Sequence, residues 1–183
     1  LVLLLVPVQV SAYDEMEEEF LYSALQQLWN NNLPAALELF NEIIRQYPHS
    51  LPALRSRAEL LLTLEQTDAA LEDIARVLEL EPWNTRYLLY QCIVPEHAGV
   101  EESLLLPCYV EAIQKMRQHH SLQTLKDDIN YVLAVILAKL PEAETVKSQF
   151  LQPARDDDIV GAIQRDVIHN FDRKQLRGKW AGQ

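Results

Sequence analysis

Glycine is scarce in this chain, with 4 among 183 residues, and so is positive charge: 16 lysines and arginines stand against 27 aspartates and glutamates, a formal net charge of −11. So few glycines leave little material for phosphate-cradling loops, and no dinucleotide fingerprint, P-loop or metalloprotease helix motif occurs. The acidic balance opposes phosphate backbones and anionic lipid heads, which excludes nucleic acid as a general partner. No apolar run reaches the roughly 20 residues that a helix needs to cross a bilayer core. Cysteine is limited to Cys92 and Cys108, and a lone pair of cysteines is a poor zinc site. What remains, 49% hydrophobic and 23% charged, describes a globular chain of one or two domains, expected to need neither cofactor nor metal.

The chain opens on Leu1-Val2-Leu3-Leu4-Leu5-Val6-Pro7-Val8-Gln9-Val10-Ser11-Ala12 and turns abruptly acidic at Tyr13-Asp14-Glu15-Met16-Glu17-Glu18-Glu19. The apolar run has the length of a secretory signal's core, and Val10-Ser11-Ala12 has the small-x-small form of a processing site. Residues 1–12 are therefore expected to be a signal remnant, leaving a periplasmic or secreted protein that does not insert in the membrane after cleavage. A buried first strand or helix is the alternative. Export would let Cys92 and Cys108 pair, closing a loop worth about 3 kcal/mol if their Cα atoms approach within about 7 Å; two buried free thiols are the competing outcome.

Internal similarity is the strongest feature. Pro48 and Pro82 lie 34 residues apart, and counting back from each aligns Phe20, Ala24, Leu28, Ala36, Phe40 and Ile43 with Leu54, Ala58, Leu62, Ala70, Ile74 and Val77. Every aligned position is apolar, the alanines sitting where antiparallel helices approach most closely. Asn32 and Ser50 are expected N-caps, Pro34 and Pro52 fit first helical turns, and Pro48 and Pro82 close the helices before them. On these residues the chain resembles the tetratricopeptide repeat family: Ala24, Ala36, Phe40 and Pro48 match its small-small-aromatic-proline positions, and Ala58, Ala70 and Pro82 repeat most of them. The family's turn glycine is replaced by Asn31 and then by Glu65.

The resemblance implies an all-α solenoid of helical hairpins over residues 13–100, two clear and a third degenerate. Asn84 to Ile93 supplies one helix of the third, and Pro95, His97 and Gly99 break it with no second helix in register. Residues 101–183 are expected to form capping helices: one from Ser103 to Gln118 with Pro107 in its first turn, a long one carrying Leu122 through Leu140, a short one to Phe150 closed by Pro153, and a last one opened by Asp156-Asp157-Asp158 and running to Phe171.

For function, the resemblance implies a groove lined by the first helix of each hairpin that takes an extended peptide or a partner helix. By position this selects Leu21, Leu25, Leu28 and Trp29, then Arg55, Glu59, Leu62 and Thr63, then Leu89, Tyr90 and Ile93. Trp29, Arg55 and Tyr90 are residue types enriched at binding hot spots. The leucines have an alternative role inside the hairpins, and Trp29 as a cover for a loop. The family's Lys/Asn/Arg carboxylate clamp is absent. His119-His120 and Asp127-Asp128 read as helix-end residues, and His169 has no nucleophile partner. The basic tail of Arg165, Arg173, Lys174, Arg177 and Lys179, with Trp180, either meets an acidic partner or folds back on the chain's own carboxylates. The expected function is a non-enzymatic adaptor, scaffold or cognate inhibitor that binds a polypeptide. The alternatives are an enzyme using Asp127, Asp128 and the 156–158 acids against His169, and a self-assembling homodimer.

Overall fold

The computed structural model describes residues 12–152 and 159–177. The expected signal remnant, apart from Ala12, lies outside these residues, as do Pro153, the 156–158 acids, Lys179 and Trp180. Ten α-helices and a closing 3-10 turn make up the regular structure, with no strand among the described residues. The helices are α1 (Ala12–Trp29), α2 (Leu33–Gln46), α3 (Leu51–Thr63), α4 (Thr67–Leu80), α5 (Thr85–His97), α6 (Glu102–His119), α7 (Leu122–Leu125), α8 (Ile129–Leu137), α9 (Ala143–Phe150) and α10 (Ile159–His169); the 3-10 turn is Arg173–Arg177. Two compact units, Leu1–Leu60 and Leu61–Gln183, divide the chain within α3.

Helix limits recur at the spacing of the sequence pattern. α2 and α4 both run 14 residues and start 34 apart, and α3 and α5 both run 13 and start 34 apart. The turns recur too. Asn31, Glu65 and Gly99, at φ of 56°, 57° and 99°, each occupy the left-handed region 34 residues after the last. Each sits just past a helix whose end closes in the same way: Asn32 N–H donates to Gln27 O at 2.8 Å, Gln66 to Leu61 at 2.8 Å and Val100 to Pro95 at 3.0 Å. This six-to-one bond with a left-handed residue before it satisfies carbonyls that a helix end leaves open. Lys139, at φ 54°, repeats the device after α8.

In the first unit α1 packs on α2. Ala24, Ala36, Phe40, Ile43, Leu54 and Ala58, all from the repeat pattern, are fully buried, whereas Phe20 and Leu28 are half-buried. Burying a side chain such as Phe40 stabilises by roughly 1.5–3 kcal/mol. Ser50 caps α3 through its Oγ, which accepts from Ala53 N–H at 3.3 Å. Asn32 does not cap in this way: its side-chain amide instead donates to Gln27 Oε1 at 2.8 Å.

In the second unit Ala70, Ile74 and Val77 of α4 are fully buried, and α5 is packed by α4, α6 and α8. Leu88, Cys92, Tyr109, Ile113, Met116, Tyr131 and Val135 form its main core, while Val132, Phe150 and Ile168 form a second cluster that anchors α9 and α10. Three sequence expectations are corrected here. A helix does pair with α5: α5 continues through Pro95, the chain turns at Gly99, and α6 packs against it. Because α6 begins at Glu102, Pro107 lies beyond its first turn, inside the helix. Finally, the apolar stretch 122–140 is two helices. Asp128 caps α8, its Oδ1 accepting from Asn130 N–H at 2.8 Å, while its Oδ2 accepts from Thr85 Oγ1 at 2.7 Å. A side-chain acceptor that competes for backbone donors and is held by a distant helix breaks the run.

Candidate functional site

Within the first unit the expected face residues fall in two helical rows. Glu17, Leu21, Leu25 and Trp29 follow one another at four-residue steps along α1, and Leu51, Arg55 and Glu59 do so along α3. Residues four apart share a helix face. Glu17 and Leu51, the leading members of the two rows, line one cleft of 530 Å³ together with Gln46, Tyr47, Pro48, His49, Ser50 and Pro52. Leu21, Leu25 and Arg55 are half-buried, Glu59 is exposed, and Trp29 is 73% exposed. A tryptophan that open on α1 contributes little to the hairpin core, so it is not held there by packing.

Glu15, Glu17, Glu18 and Glu19 fall within two turns of α1, and of these Glu17 lines the cleft. Elsewhere in this unit Arg45 neutralises Glu42. The Arg45 guanidinium hydrogen-bonds Glu42, joined by the Gln46 amide, and together they pull the exposed Glu42 carboxyl from 4.5 to about 2. Arg57 Nη1 donates to Asn41 Oδ1 at 2.8 Å.

The remaining expected face residues lie in the second unit. Thr63 is exposed and Tyr90 half-buried, its ring edge-on to Tyr87 at 5.7 Å. Leu89 is 2% exposed and belongs to the core. It is corrected from a partner-facing to a packing residue, because α4, α6 and α8 all close on α5. Leu62, at the end of the second row's helix, is likewise buried.

Cys92 and Cys108 join α5 to α6 as a disulfide, with Cα atoms 5.8 Å apart. One turn further along α5, Glu96 is 1% exposed, and its carboxylate is the centre of a polar knot that sequence reasoning missed. Tyr109 OH donates to Glu96 Oε2 at 2.7 Å. Arg173 reaches the same carboxylate twice, Nε to Oε1 at 2.6 Å and Nη2 to Oε2 at 2.9 Å, while Nη1 donates to Leu137 O at 2.7 Å. Glu102 Oε1 stands 3.1 Å from Nη1 and also pairs with Lys139. Burial, the Glu96 hydrogen bond and the neighbouring carboxylates push the Tyr109 phenol far above its ordinary value. Burial works to lower the Arg173 guanidinium, but Glu96 and Glu102 more than offset it and its pKa is raised. The tail's fold-back on its own acids, one of the two sequence readings, describes Arg173. A basic residue beyond an acidic body was the available signal; its target was not.

Of the groups named for an enzymatic alternative, Asp128 is otherwise engaged, and the 156–158 acids lie outside the described residues. Asp128 spends its carboxylate on capping α8 and on Thr85. His119 and His120 end α6, His120 Nε2 contacting Trp83 O at 2.9 Å, and His169 is exposed in the last turn of α10. Among the described residues no three His, Cys, Asp or Glu side chains are placed to hold a metal ion, and no helix is long and apolar enough to cross a membrane. No protein-family model matches the chain, and no curated protein matches it. The likeness to tetratricopeptide repeats thus rests on the chain's own residues and on the spacing of its helices.

Proposed function

We propose that this is an exported, tetratricopeptide-like helical-hairpin solenoid that binds a polypeptide, as an adaptor, scaffold or cognate inhibitor, and is not an enzyme. The observation carrying the reading is the 34-residue recurrence of helix starts and left-handed turn residues, which extends to the third hairpin at Gly99. Stacked units of this kind present first helices in a row to an extended peptide or a partner helix. In the first unit that row is Leu21, Leu25 and Trp29 with Arg55 and Glu59; Thr63 and Tyr90 are the candidates within the second unit. The apolar stretch beside an open tryptophan is suited to anchoring an apolar side chain, and the charged pair to fixing register. Export is supported by the disulfide, since such bonds persist in oxidising compartments.

The test is a photo-crosslinking residue at position 29 or 55, compared with W29A/R55A in affinity capture. The double variant should keep its helicity by circular dichroism and lose at least tenfold in affinity for the crosslinked partner, on the order of 1.4 kcal/mol. A partner retained at full affinity by W29A/R55A rejects this face. A second reading, self-association, is favoured by one observation: α10 leaves Ile159, Val160, Ile163 and Val167 exposed. Light scattering that shows a dimer for the unaltered chain and a monomer for Ile163→Asp would establish it.

A further inference from the structure

The knot around Glu96 contains a complete receptor for a planar cation. Its acceptors come from three helices: the Glu96 carboxylate on α5, the Glu102 carboxylate on α6 and the Leu137 carbonyl at the end of α8. The Tyr109 ring forms one wall, with the guanidinium carbon 5.8 Å from its centroid. None of these groups belongs to the segment that carries the cation. Two of the three helices are also tied together without it, because Tyr109 follows Cys108 directly and Glu96 lies one turn from Cys92, so the disulfide fixes α5 and α6 beside the cage.

A carboxylate buried to this degree with one phenolic donor is strongly unstable unless a cation completes it. The acceptors are spread so that Nε, Nη1 and Nη2 each meet a different oxygen, a fork that guanidinium offers and ammonium does not. The occupant's own tether is short. Phe171 before Arg173 and Leu176 after it are half-buried against the second unit's core, the Leu176 carbonyl meets the His97 ring, and Asn170, Asp172 and Lys174 are exposed.

We propose that the α5–α6–α8 cage is an arginine-recognition site, filled in cis by Arg173, and that an arginine side chain presented by another polypeptide exchanges with it. The segment 170–177 is then a displaceable plug. A tether this short gives Arg173 a millimolar effective concentration, which a competing arginine must match.

Two measurements test this. Arg173→Ala should bind N-acetyl-arginine amide saturably by calorimetry and rise in melting temperature with it, while N-acetyl-lysine amide binds at least tenfold more weakly. In the unaltered chain, hydrogen exchange at backbone amides 172–177 should quicken as N-acetyl-arginine amide is added and not with its lysine counterpart at equal ionic strength. The second measurement decides the matter if the variant does not fold. Equal response to both amides, or exchange at 172–177 that no arginine concentration changes, overturns the proposal and leaves Arg173 as a permanent ion pair.

Discussion

The α1–α2 and α5–α6 hairpins turn on left-handed residues two repeats apart, yet they are held closed by different means. The first relies on shape: Ala24 and Ala36 let the helices approach, and Phe40 and Ile43 fill the seam. The second carries an interior proline in each helix, Pro95 and Pro107, each removing a backbone hydrogen bond at about 3 kcal/mol in an ordinary helix interior. That hairpin is the one with the Cys92–Cys108 disulfide and the Glu96–Tyr109 hydrogen bond. Where helix propensity is poor, covalent and buried polar links are added to packing.

Emptying the packed seam is the sharpest way to break this contrast. Phe40→Ala, at a fully buried site, should destabilise the chain by about 3–5 kcal/mol, read from a urea midpoint. Cys92→Ala/Cys108→Ala should remove about 3 kcal/mol, and the loss should appear in the second unit's hydrogen exchange before the first's. If amides of the α5–α6 hairpin keep their protection in that variant, the prolines are tolerated without the cross-link and the comparison fails.

The turns sharpen it on a smaller scale. Glu65 holds φ +57°, where a side chain is strained, so Glu65→Gly should stabilise by about 0.5–1 kcal/mol. Gly99→Ala should do the reverse by a similar ~1 kcal/mol, for backbone reasons alone, because a Cβ there would meet nothing within 4 Å. The smallest effect concerns pH. Glu42 has its folded pKa lowered from 4.5 to about 2, so its contribution is complete above pH 4.5 and fades as pH falls toward 2. On an exposed side chain that contribution is slight; an NMR titration of the carboxyl checks the shift, and Arg45→Ala should return it toward 4.5.

Much of the helix map was written in the sequence, because its signals were local. Pro48 and Pro82 end helices, Ser50 caps one, and the alanines at 24, 36, 58 and 70 mark close approach. The misreadings came where distant groups decide. Pro95 looked like a breaker, but α5 ends where Gly99 permits the left-handed turn; that glycine's distance of 34 from Glu65 was the clue. The break between α7 and α8 depends on Thr85, 43 residues from the Asp128 it binds. Leu89 holds the same repeat position as half-buried Arg55, and only the closure of α4, α6 and α8 on α5 distinguishes their roles. In the first unit, the residues at 21, 25, 29, 55 and 59 came from their positions in the repeat family the chain resembles. The cleft at 17 and 51 follows from extending both rows one step toward their N-termini.

The cross-link between α5 and α6 also makes sample handling part of the measurement. In dithiothreitol the hairpin keeps both prolines and loses its staple, so a melting curve recorded there belongs to a weaker molecule than one recorded in air-equilibrated buffer. Binding constants from reduced and oxidised preparations should accordingly be compared as those of two distinct proteins.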